Sequence, residues 1–282
     1  TMTPPDDRTL LSDLIALAQR KGATAADALL VRSTSLSVTV RLGKTETLER
    51  SESGDIGLRV FKGGKQGIIS TCDIRPDRLA QLVDRVLDIA DASPEDSFAG
   101  LPEPDQLCTT QPALDLCDPL EPKAETLMER AGTCEAAALA VPGVTNSTGG
   151  SADWGRSDVT LVASNGFAGS YARSSHSLFA MVLAGAPGGP MERDYDHDSM
   201  VYGADLRDPV DIGRRAGERA ARRVNPRTRP SQQVPVIFEA RLARGLLSAF
   251  CGAINGATVA RGATFLKDSC GQVIFNPLVI IT

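Results

Sequence analysis

The sequence predicts an α+β fold: two N-terminal units of antiparallel sheet with helices, followed by the start of a β-rich C-terminal domain. Three observations carry that expectation. Leu36, Val38, Val40 and Leu42 alternate with Ser37, Thr39 and Arg41, the period-two pattern of a half-buried strand. Behind Pro76, the residues Leu79, Leu82, Val83, Val86, Leu87 and Ala90 recur at helical spacing. The order helix, hairpin strands, helix then occurs twice. The first unit is expected over 8–93, the second over 118–227, and the C-terminal domain from 230 to 282, where it reads as incomplete.

Along the chain, a helix over 10–20 puts Leu10, Leu11, Leu14, Ile15 and Ala18 on one face. Strand-like runs follow at 28–32, 36–42, 46–51, 56–61 and 67–71, separated by Gly43-Lys44, Gly54-Asp55 and Gly63-Gly64. Pro76 suits the first turn of a helix, where its missing N–H costs nothing. Residues 93–122 carry Pro94, Pro102, Pro104, Pro112, Pro119 and Pro122 and read as a connector. The next helix presents Leu127, Met128, Ala131, Cys134, Ala138 and Leu139. Four runs, 144–151, 157–163, 168–174 and 177–184, then read as strands, with Asn165-Gly166 as a hairpin turn. Residues 185–205 read as a polar loop, and Asp208-Pro209 opens a helix reaching Val224. Beyond Asn225-Pro226 and Pro230 come a short strand at 235–238, a helix over 241–257 and a terminal strand from Val279.

Composition narrows the function classes. With 30 Lys+Arg against 35 Asp+Glu the chain carries a net charge of −5, unfavourable for general binding to nucleic acid or an anionic membrane. Aromatic residues are only 4%, so the core must be built from Leu, Val, Ile and Ala. No apolar run approaches the roughly 18 residues of a membrane span. The N-terminal residues lack the basic and apolar regions of a signal peptide, and six cysteines show no C-x-x-C pair. Reduced thiols and a cytoplasmic location are expected.

Few chemistries fit. His176 and His197 belong to no H-E-x-x-H and to no close His/Cys cluster, so no catalytic residue and no metal ligand is assigned. Asp194, Asp196, Asp198 and Asp205 have calcium-loop spacing. Ser199 stands where the required glycine would be, which favours a solvated acidic loop. Gly63 to Gly67 lies between strands and reads as a turn rather than a phosphate loop. Arg214, Arg215, Arg219, Arg222 and Arg223 spread over half of one helix, with Arg227 and Arg229 beyond. Without interleaved aromatics for base stacking, this face is expected to be solvated or to meet a protein, with Arg215 and Arg222 as interface residues. On the 241–257 helix, Leu242, Leu246, Phe250, Ile254 and Ala257 form a core stripe. Beside it lie Gly245, Ser248, Ala249, Gly252, Ala253 and Gly256. Each interior glycine costs about 1 kcal/mol relative to alanine, so Gly245, Gly252 and Gly256 point to a close-packing face.

Several of these segments resemble the TldD/PmbA family. They include Glu49-Arg50-Ser51-Glu52, the run from Gly57 to Gly67, Met191-Glu192-Arg193-Asp194-Tyr195-Asp196 and Arg214-Arg215-Ala216-Gly217-Glu218-Arg219-Ala220. Asn225-Pro226-Arg227, Ala253-Ile254-Asn255-Gly256, Ala260-Arg261-Gly262 and Phe265-Leu266-Lys267-Asp268 continue in the same order. The last blocks resemble the PmbA/TldE branch, long labelled a modulator of DNA gyrase. The resemblance implies a subunit of a cytosolic TldD/TldE metalloprotease acting on small extended peptides such as microcin precursors or an antitoxin. It implies zinc on the TldD-type partner, whose helix carries H-E-x-x-x-H. Aligned on Leu246-Leu247, that motif falls on Ser248, Ala249 and Ala253, which supply neither ligand nor base. The expectation is therefore a non-catalytic chain without a cofactor, partnered by a TldD-type subunit and a peptide, with a homodimer left open for the isolated chain. No membrane and no specific nucleic acid is expected, and DNA gyrase is a weak candidate. Two other readings stay open: a module binding gyrase or nucleic acid through the Arg214–Arg229 face, and an autonomous peptidase using a site such as Cys251.

Overall fold

A computed structural model describes residues 6–110, 112–186 and 188–279. The chain divides into two units, Thr1–Pro226 and Arg227–Thr282. The first contains α1 (Asp7–Arg20), β1 (Ala25–Arg41), β2 (Lys44–Lys62), β3 (Lys65–Thr71) and α2 (Pro76–Ala92). After a 3-10 turn at Pro104–Gln106 come α3 (Ala124–Leu139), β4 (Val144–Ala163), β5 (Ala168–Ala184), β6 (Glu192–Met200) and α4 (Pro209–Arg223).

The fold is α+β, and its strands form one antiparallel sheet in the order β3-β2-β1-β4-β5-β6. The segments 8–93 and 118–227 thus share a sheet, joined where β1 pairs with β4 from Asp27↔Ala163 to Val40↔Gly150. Each segment keeps its own helices. Alternation sends Ala26, Ala28, Leu30, Leu36, Val38 and Val40 of β1 to one face. The first three pack with α1 and α2 around Leu11, Leu58 and Val83. The last three pack with α3 and α4 around Leu127, Leu178 and Ile212. Between the two cores the same face carries Arg32 and Thr34. β1, β2, β4 and β5 are each continuous where the pattern predicts two runs, because polar or glycine residues such as Ser33–Ser35, Glu52–Asp55, Gly155-Arg156 and Ser175-His176 interrupt the alternation.

Two details tie helices to strands. The β1–β2 turn uses positive φ at Leu42 (50°) and Gly43 (72°). Buried Glu135 of α3 accepts both of their N–H groups, at 2.8 and 3.1 Å. The expected loop over 185–205 contains β6, whose inward residues are acidic rather than apolar. That leaves no hydrophobic stripe to read.

The second unit contains α5 (Ala240–Ala253) and α6 (Gly256–Ala260). The expected single helix over 241–257 therefore breaks at Ile254-Asn255. There the Asn255 side chain accepts the Ala257 and Thr258 N–H groups and starts a new helix. Residues 235–238 are irregular: Val236 and Ile237 are exposed, and no partner strand forms among the described residues of this unit. Residues 280–282 of the expected terminal strand lie outside the described residues.

Candidate functional site

On α5, Ser248 and Ala249 are exposed and Ala253 is buried. A hydroxyl and two methyl groups do not fit zinc, which needs imidazole, thiolate or carboxylate donors. Among the described residues no group of three or more His, Cys, Asp or Glu is placed to hold a metal ion. Among the described residues, a Cβ added at Gly245, Gly252 or Gly256 would meet nothing within 4 Å. Cys251 is exposed on the same helix.

The Asp-rich segment and the arginine helix, read separately in the sequence, belong together. Glu192, Asp194, Asp196 and Asp198 share one face of β6. Asp194 and Asp196 are each 6% exposed. Asp196 binds Arg207 at 2.9 Å and Arg219 at 2.7 Å, and Arg223 reaches Asp194 at 3.3 Å. Burial opposes ionisation of Asp196, but hydrogen bonds from the two guanidiniums outweigh it and lower the carboxyl's pKa. This replaces the solvated acidic loop with an ion-pair seam in which buried carboxylates of β6 meet partly exposed Arg207 and the arginines of α4. Arg214 is held on its own helix by Asp211 and Glu218. Arg215 and Arg222, two turns apart on α4, are exposed, and no carboxylate among the described residues pairs with either.

A second polar cluster was not legible as a site. His176 is 3% exposed, and its Nε2 lies 3.1 Å from Asp118 Oδ2, close but poorly aligned for a hydrogen bond. Asp118 also accepts the N–H groups of Leu120 and Gly203 at 2.9 and 3.0 Å. The nearby Ser174 hydroxyl is committed, donating to the Val201 carbonyl and accepting from the Asp118 N–H. The group fastens the connector and the loop after β6 to β5, and it offers no free nucleophile. The only sequence signal was parity: His176 falls on the even-numbered face with Leu178, Ala180 and Val182.

Burial lowers the His176 pKa, Asp118 raises it, and Arg130 lowers it further, leaving it below the ordinary value of 6.5. The unfolded chain therefore takes up the proton first as the pH falls. Stability from this site is complete above about 6.5 and declines as the pH drops toward the lower folded value. Urea unfolding between about pH 5 and 8 should show that decline, and His176→Gln should flatten it. An unchanged slope in the variant would assign the decline to other groups.

Three family profiles match in order. They are the PmbA/TldA metallopeptidase domain 1 over residues 26–90, central domain over 117–224 and C-terminal domain over 231–282. The chain is 34% identical over 265 residues to Metalloprotease PmbA of Escherichia coli, covering 94% of this chain and 58% of that protein. It is 30% identical over 268 residues to a PmbA homologue of Haemophilus influenzae, covering 95% and 59%. It thus spans a little under three fifths of these relatives. Among solved structures, it is similar to a putative modulator of DNA gyrase from Bacteroides thetaiotaomicron, with TM-score 0.85, 24% identity and coverage of 95% and 61%. TldE from Thermococcus kodakarensis shares the fold at TM-score 0.70 and 17% identity, covering 92% of this chain and 58% of that one. With three consecutive domain matches and this fold, the chain belongs to the PmbA/TldD family.

Proposed function

We propose that this chain is a PmbA/TldE-type, non-catalytic subunit of a cytoplasmic TldD/TldE metalloprotease that processes small extended peptides. The observation that carries the reading is the chemistry of α5: Ser248, Ala249 and Ala253, on which the family resemblance would place the zinc-binding histidines and glutamate, offer neither ligand nor base. The likeness to PmbA metalloproteases and the fold shared with TldE support the metallopeptidase setting of the reading. Zinc, its ligands and the activated water belong on a TldD-type partner. The chain contributes interface surface and substrate-path walls.

The open Gly245/Gly252/Gly256 face and the exposed Arg215/Arg222 pair are the surfaces proposed to meet that partner. The test is co-expression with a TldD-type protein, followed by co-purification, metal analysis and a peptide-cleavage assay. The complex should hold zinc and cleave, while this chain alone should hold no stoichiometric zinc and show no chelator-sensitive cleavage. Gly252→Leu should leave the isolated chain folded, because open space surrounds that position, and should weaken association. Arg215→Glu with Arg222→Glu should likewise weaken association by at least tenfold, about 1.4 kcal/mol. Cleavage by the isolated chain that resists chelation would defeat the reading and return Cys251 to the front. DNA affinity that falls steeply with salt and disappears in the Arg215/Arg222 variant would favour nucleic acid instead.

A further inference from the structure

The sheet face opposite the helices is graded from apolar to polar by strand register. Val31, Val159 and Tyr171 are aligned across β1, β4 and β5, and the next row on that face is Ser33, Ser157 and Arg173. Ser35, Gly155 and Ser175 form the row after that. Successive rows lie about 6.7 Å apart. A cavity of about 670 Å³ covers the apolar end, walled by Leu114 and Leu116 of the connector and by Val159, Leu161, Phe167 and Tyr171. Its size lies in the usual range for small-molecule sites, about 300–1,000 Å³.

Arg173 lines this cavity and also a polar hollow of about 280 Å³ beside it. Gly155 forms the floor of that hollow: a Cβ there would meet only Ser175 Oγ and the Thr34 carbonyl oxygen, both at 3.8 Å. Ser33 and Ser157 share a hydrogen bond of 3.0 Å, whereas the Ser35 and Ser175 hydroxyls have no partner among the described residues. Arg156, the other cation of the hollow, is held by Asp158 at 2.9 and 3.1 Å. No carboxylate among the described residues pairs with Arg173.

We propose that the two cavities form one binding site for a small organic anion. Its apolar body sits between the connector and the Val159/Leu161/Tyr171 surface. Its carboxylate or phosphate head meets Arg173 and the free hydroxyls of Ser35 and Ser175. A neutral apolar molecule would leave the guanidinium unused, and a wholly polar anion would leave the apolar walls wet. A planar guanidinium suits either oxyanion head in two-point contact. A small molecule fits better than an added peptide strand, because at Ser174 the β5 edge beside the cavity is taken: its N–H donates to the Leu116 carbonyl at 3.0 Å.

The site is independent of the subunit reading, and its test uses this chain alone, without protease or partner. Octanoate, octyl phosphate and octanol would each be titrated by calorimetry and by amide chemical shifts. The anions should bind at least tenfold more tightly than octanol, and decanoate more tightly than octanoate by about fourfold per methylene. A preference for carboxylate would point to a free organic acid, and a preference for phosphate to a phosphorylated compound. Arg173→Gln, at an exposed position, should erase the advantage of the anions over octanol. Val159→Trp should fill the cavity and weaken all three ligands. Equal binding of octanoate and octanol, anion affinity unchanged in Arg173→Gln, or no binding at millimolar concentration would each overturn the proposal.

Discussion

Asp196→Ala will lower the stability of the 1–226 unit by about 3 kcal/mol, a substantial fraction of what holds a typical domain folded. Asp196 is almost wholly buried and is the shared acceptor of Arg207 and Arg219. Removing it leaves two guanidiniums facing a vacated buried space. Their side chains are 32% and 24% exposed, so they can partly rehydrate, which holds the loss to the low end for a broken buried pair. The folded carboxyl titrates below its unfolded value, so its contribution is full above about pH 3.9. That contribution is lost as the pH falls through the lower folded value. Urea titration at neutral pH should give a reduced midpoint with an unchanged slope. A loss under about 1 kcal/mol would mean that the seam orders β6 without stabilising the unit.

Gly213→Ala will cost about 2 kcal/mol or more, although alanine is the better helix former by about 1 kcal/mol. The added Cβ would overlap the Cys134 carbonyl oxygen, lying 2.9 Å from that carbonyl carbon and 3.0 Å from Ala137 Cβ. Those atoms belong to the backbone and Cβ of α3, so no rotamer change relieves the overlap, and the two helices must separate. Separation loosens the packing of Ile212 and Ala216 in the core beneath. Gly217, where a Cβ would lie 2.7 Å from the Ala138 carbonyl oxygen, repeats the arrangement one turn on. By contrast Gly252→Ala, in open space on α5, should be neutral or slightly stabilising by thermal unfolding of the same chain. Gly213→Ala raising the midpoint instead would show that α3 and α4 yield easily.

The sequence was informative where burial is apolar. Alternation or helical spacing identified the cores of α1, α2, α3 and β1 to β5, and Asp208-Pro209 marked the start of α4, where Asp208 accepts the Val210 N–H at 2.8 Å. It was uninformative where burial is polar. The even-numbered acids of β6 and the arginines of α4 each look like solvated charge when read alone. Only their apposition lets Asp194 and Asp196 be interior. The helix at α5 was legible as an element from its apolar spacing. Its break at Asn255 depends on a side-chain cap that competes with continued helix. The Asp118–His176 pair joins positions 58 residues apart, from a connector whose path no periodicity announces.

Because β1 serves both cores, the stretches that match separate family domains are not separable modules. Cutting between them would strip residues 27–40 of β1 from their β4 partners. One fragment would then present that long row of vacant amide and carbonyl groups, and the other its complement, both prone to pair with the wrong chain. Neither half should be recoverable as a soluble monomer. The two halves expressed as unlinked polypeptides in the same cell should instead find each other and reassemble, so that a nick in the 93–122 connector is tolerated where a truncation is not.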